Sequence, residues 1–271
     1  MFDTLVMMSA ACYCLILERM SFTSSDPAAI AFSDGADACA TVSSQLGWRT
    51  RLWQLRHLGI VLLVSLSGPI FNSTYVVLGG TPDPMQQNYR LAGALRTEIT
   101  SLLLLWYVMG RQGKTWKDIG WKAGLADVPR GMGLFIVALI VPAFASVPFQ
   151  HVYRAYAGHF LAPKSLHSLL GFSISLVSIA FVCLNPFFEE LIVRGYTMSE
   201  IMGSGGTAWM AIVISVAIQM SYHLYQGLAH AIGLIAVFAI FSIYYAQTRR
   251  IAPVVFAHLF MDVIALIRGV F

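Results

Sequence analysis

The chain has 271 residues, of which 58% are hydrophobic and 11% charged, and its mean hydropathy is +0.71. A soluble protein carries about 25% charged residues, so this balance excludes a disordered chain, a basic nucleic-acid-binding domain and an ordinary soluble globule. It predicts an all-α, polytopic transmembrane bundle, because about 20 apolar residues make one spanning helix and the chain has room for six to eight of them.

The net charge of +4 reads as a topology signal, since no long basic run is present to grip nucleic acid. Four cysteines, Cys12, Cys14, Cys39 and Cys183, form no CxxC pair and no even spacing. They suggest neither a disulfide framework nor a thiolate zinc site.

In chain order, Met1–Leu17 is apolar but short and starts with Asp3 where a secretory signal would be basic, so it is an extra span or an interfacial segment. Ser21–Gly47 is rich in Ser, Ala, Asp and Thr without a sustained period, which predicts a flexible linker. Residues 1–50 thus form an N-terminal region and 51–271 a transmembrane domain whose functional core is 168–271. Seven apolar runs follow: Leu58–Gly79, Leu91–Gly110, Gly131–Pro148, Ser168–Phe188, Thr207–Tyr225, Gly227–Ala246 and Ile251–Phe271.

Orienting these runs places Arg49, Arg51, Arg56, Arg111, Lys114, Lys117, Lys122, Arg130, Arg249 and Arg250 on one side. The opposite loops hold Arg90, Arg154 and Lys164. By the positive-inside rule the first side is cytoplasmic. No internal repeat is visible, which gives no support to a transporter built from inverted repeats.

The informative residues are the ionisable ones inside the runs, because a charge near the bilayer centre costs about 2.5–3.5 kcal/mol even on the lenient insertion scale. The strongest element is Glu189-Glu190-Leu-Ile-Val-Arg194-Gly195. On a helix Glu190 and Arg194 share a face and can neutralise each other, while Glu189 points about 100° away and is left for other work. A carboxylate in a poorly hydrated pocket suits a general base that takes a proton from water and returns it. The simpler alternative is an interfacial Glu–Arg pair that marks the end of a span.

His258 and Asp262 lie four apart in the last run and can present two hydrogen-bonding groups to one point, for an oxyanion or a metal; the alternative is a self-satisfied pair between packed helices. His223 falls at the join of two runs, where a lone His is often an interfacial anchor. His230 lies beyond the potential break at Gly227 and reads as structural. Arg96 and Glu98 in the second run read as a packing pair without chemistry. No HExxH, GxSG or GxGD occurs, which removes zincin, rhomboid-like and presenilin-like sites.

EExxxRG at Glu189–Gly195, an isolated His223 followed by Leu-Tyr-Gln-Gly, and HxxxD at His258–Asp262, in that order, resemble the CPBP family of intramembrane proteases, which includes CAAX prenyl endopeptidases and bacteriocin-processing proteins. The resemblance covers roughly Ser168–Phe271. It implies an endopeptidase in which Glu189 and His223 activate water, His258 and Asp262 stabilise the oxyanion, and Glu190 and Arg194 shape and charge-balance the pocket. The family is often labelled a metalloprotease, and then Glu189, His223 and His258 would hold zinc; the metal-free mechanism uses the same residues. Two positions depart from the usual pattern: Gln219 stands where Phe is frequent, and Asp262 where Asn is frequent.

The expected function is therefore hydrolysis of peptide bonds in a membrane-associated or hydrophobic protein or peptide, CAAX-type or precursor-type, by an integral protein of a prokaryotic plasma membrane, with membrane lipid and no nucleic acid as partners. A small proton- or cation-coupled transporter and a non-proteolytic scaffold or immunity protein are the alternatives. One tension remains in the simple topology. Glu189 would lie at the cytoplasmic end of its span and His223 about 24 Å beyond the start of the next, so a span must be tilted, broken or differently bounded for the two to meet.

Overall fold

The computed structural model describes residues 27–80, 86–159 and 175–268, all helical or in short connections, with no strand among them. The chain divides into two compact units, Met1–Gln54 and Leu55–Phe271. The Met1–Leu17 segment lies outside the described residues. From Pro27 onward the segment expected to be a linker falls within α1, which covers Pro27–Val77. Its start is rich in Ala, the strongest helix former, and proline is well suited to a first helical position.

In the second unit α1 is followed by α2 (Gln87–Arg111), α3 (Asp127–Ala157) and α4 (Leu176–Glu189). A π-helical turn over Glu190–Tyr196 continues α4 directly into α5 (Thr197–Gly203). Then come α6 (Ala208–Ser221), a single 3-10 turn at Leu224–Gln226, α7 (Leu228–Thr248) and α8 (Ala252–Arg268). Among the described residues four stretches are long and apolar enough to cross a membrane: Arg51–Val77, Gln87–Arg111, Asp127–Ala157 and Leu176–Gly203. Their outer faces carry exposed Leu63, Phe71, Trp106 and Phe144, as lipid-facing helices do when only their inward stripe is packed.

Local sequence sets the boundaries. Ser175 caps α4, its hydroxyl accepting from the Ser178 amide at 3.1 Å while the Ser178 hydroxyl accepts from the Ser175 amide at 2.8 Å. Thr207 caps α6 by accepting from the Met210 amide at 3.1 Å. Gly227, at φ 86°, ends the 3-10 turn and starts α7. This is the break anticipated between His223 and His230.

The core lies where α3 packs on α8 and α7, α2 on α4, and α6 on α7. At Gly131 a Cβ would come within 2.6 Å of the Phe256 Cβ and 3.0 Å of the Pro253 carbonyl, so α3 and α8 approach there without room for a side chain.

Several of the basic residues counted from sequence meet at one end of the second unit. Lys114 pairs with Glu200, Arg250 reaches Asp127 at 2.8 Å and the Lys122 carbonyl at 3.0 Å, and the Tyr245 hydroxyl donates to the carbonyls of Ile119 and Gly195 at 3.0 and 3.1 Å. The connector 112–126 is thereby held against α5 and the α7–α8 turn. The Asp127 partner holds Arg250 even more firmly in its charged form.

The fourth span differs from its predicted limits. It runs on past Phe188 to Gly203, which puts Glu189 about 21 Å from that end rather than at it. After the turn at Ser204–Thr207, α6 runs back for about 17 Å to Gln219. Glu189 and the end of α6 therefore arrive at the same level, and the tension in the simple topology disappears.

Candidate active site

The π turn is the centre of the site. All seven of its residues are buried, and the Thr197 hydroxyl donates to the Ile192 carbonyl five residues back at 2.8 Å, closing the wide turn. Such turns are frequent at functional sites because they re-aim side chains within a continuous helix.

Glu190 and Arg194 are both wholly buried and form the expected pair, Arg194 Nη1 donating to Glu190 Oε2 at 2.5 Å. The guanidinium also lies 5.4 and 5.5 Å from the ring centroids of Phe238 and Phe241, cation–π contacts that help replace lost water. The other oxygen, Glu190 Oε1, accepts from His258 Nδ1 at 2.7 Å. The far side of that imidazole, Nε2, faces Asp262 Oδ1 at 3.6 Å, an electrostatic contact longer than a hydrogen bond. Asp262 Oδ2 in turn accepts from Asn185 Nδ2 at 3.2 Å. His258 and Asp262 thus lie together as expected, but turned to Glu190 and Asn185.

Glu189 leaves the helix in another direction, as the spacing implied, yet it is not unpartnered. Its Oε2 accepts from Gln219 Nε2 at 2.5 Å. The Gln219 backbone carbonyl accepts from His223 Nδ1 at 2.9 Å. A carbonyl only accepts, so the hydrogen of a neutral His223 is on Nδ1 and the lone pair on Nε2. The His223 ring is fixed against Tyr222 and Phe238, with centroid separations of 4.7 and 5.0 Å. His230 Nδ1 meets the Gln226 carbonyl at 3.2 Å, a structural contact.

Glu189, His223, Tyr222 and Asn185 line one cavity of about 590 Å³ together with residues of α1 and α2, among them Arg90, Arg96 and Glu98. His258 and Asp262 are not among the residues lining it. In the sequence Gln219 stands out only as a departure from a pattern and Glu98 only as a packing partner of Arg96, while Asn185 and Tyr222 carry no expectation. A polar residue in an apolar run was the one available signal for them.

The zinc set of Glu189, His223 and His258 does not suit this arrangement. Both His258 nitrogens face carboxylates and His223 Nδ1 is bound to a carbonyl. Among the described residues no three His, Cys, Asp or Glu side chains are grouped to hold a metal.

Residues 171–264 match the family model described as Type II CAAX prenyl endopeptidase Rce1-like. No curated protein and no solved structure matches the chain. The matched segment contains Glu189, Glu190, Arg194, His223, His258 and Asp262 and none of α1 to α3. The part of the chain that carries the three ordered motifs is thus a match to the Rce1-like CAAX prenyl endopeptidases, the group those motifs resemble.

Proposed function

We propose that this integral membrane protein is an endopeptidase that hydrolyses a peptide bond of a membrane-associated or hydrophobic substrate inside the bundle. The observation that carries this reading is the junction at Gln219, which ties Glu189 and His223 together at the wall of one cavity. The attacking water lies between the Glu189 carboxylate and His223 Nε2. Glu189 takes a proton from it as the oxygen bonds to the substrate carbonyl carbon, and returns that proton to the amide nitrogen as the carbon–nitrogen bond breaks. The products are a carboxylic acid and an amine, and Glu189 ends as it began.

Arg194 and His258 hold Glu190 on the side away from the cavity, so that Glu189 is the carboxylate of the pair left to face substrate. The Tyr222 hydroxyl and the Asn185 amide are polar groups of the cavity wall suited to the developing oxyanion. In this reading His258 and Asp262 act behind that wall, fixing Glu190 and Asn185. The setting is a prokaryotic plasma membrane with the basic end of the bundle in the cytoplasm.

The test uses the full chain in liposomes with a farnesylated CAAX peptide and its unprenylated counterpart, products being read by mass spectrometry. Glu189→Ala and His223→Ala each lower cleavage by about 10²–10⁴-fold while thermal unfolding and gel-filtration profiles stay as in the parent. Activity retained in both variants overturns the assignment.

A further inference from the structure

Glu98 is the group in the cavity that the hydrolytic scheme does not use. It sits near the middle of α2, is 4% exposed, and lines the same cavity as Glu189 and His223. Its Oε2 is closed off from solvent without a hydrogen-bond partner, and none of the ion pairs among the described residues includes it.

The expected partner, Arg96, lines the same cavity but is exposed and forms no ion pair with it. Arg90, two helical turns away and about 12 Å along the axis, lines the cavity with a buried Nη1 that also lacks an acceptor. A buried carboxyl is normally satisfied by donors, and no donor among the described residues bonds Glu98 Oε2. A ligand that fills the cavity can supply such a donor.

Hydrolysis supplies such a donor. Breaking the carbon–nitrogen bond turns an amide nitrogen into a primary amine, which takes up a proton to become an ammonium with three N–H groups. We propose that Glu98 is the subsite for this nascent ammonium, holding the amine-side fragment in the cavity that Glu189 and His223 also line. The inference rests on the peptidase reading for the origin of the amine, and it names the substrate side that the α2 wall receives: the part after the scissile bond.

Binding of Leu-Phe-Leu-amide, with a free α-ammonium, is compared with that of its N-acetyl form by calorimetry on the full chain in detergent. The parent protein is expected to bind the free amine about tenfold more tightly, as a charge-assisted hydrogen bond provides. Glu98→Gln brings the two affinities to within about twofold and leaves that of the acetyl form unchanged, whereas Glu98→Asp keeps the preference. Glu189→Gln also keeps it, which assigns the preference to Glu98 even if Glu98→Gln fails to fold. No preference in the parent protein, or an undiminished one in folded Glu98→Gln, overturns the proposal. Cleavage by the same preparation without the preference rejects the Glu98 subsite alone; the preference without any cleavage rejects the peptidase reading and leaves the amine site standing.

Discussion

Gln219 donates its side-chain amide to the Glu189 carboxylate at 2.5 Å, from a wholly buried position. The same residue's carbonyl fixes the tautomer of His223. A position that departs from the usual family pattern is therefore the physical link between the two residues proposed to activate water.

Gln219→Ala should lower kcat by about 10²-fold, the cost of a misplacement of about 1 Å in a reacting group, with a much smaller change in KM. The Glu189 rotamer is then released while the cavity that binds substrate keeps its walls. Steady-state kinetics on the reconstituted protein check this, and an effect confined to KM contradicts it.

Arg194→Met should destabilise the fold by about 3–5 kcal/mol, the usual result of leaving one member of a buried ion pair alone. The neighbouring His258 contact places the expected loss toward the lower end of that range. A Glu190→Leu, Arg194→Met double variant should recover part of it, because no isolated charge remains. Chemical unfolding in mild detergent measures both.

Cleavage should survive 1,10-phenanthroline and dialysis against EDTA. The ground is the commitment of His258 to Glu190 and Asp262 and of His223 Nδ1 to a carbonyl, which leaves no set of three ligands assembled. Loss of activity on chelation that zinc restores would show that these side chains rearrange around a metal.

Most of the helical plan was legible in the sequence, because spanning helices need long apolar runs and little else does. The second run, Leu91–Gly110, lies within α2, and the last two, Gly227–Ala246 and Ile251–Phe271, overlie α7 and α8 closely. The fourth run was cut short at Phe188 because Glu189, Glu190 and Arg194 look like the polar edge of a membrane. They are instead buried, since Glu190 is neutralised from within by Arg194 and by a histidine 68 residues away. Local spacing can suggest the first partner, at i+4, but not the second, which depends on how α8 packs against α4. For the same reason the Glu189–Gln219 contact and the inward aim of Glu98 could not be read from period or composition.

The cavity is assembled from two separate stretches of chain. Asn185, Glu189, Tyr222 and His223 come from 171–264, and Arg90 and Glu98 come from α2, beside residues of α1. A graft replacing residues 55–111 would therefore exchange the α1 and α2 side of the proposed substrate cavity while leaving Glu189, Gln219 and His223 themselves in place.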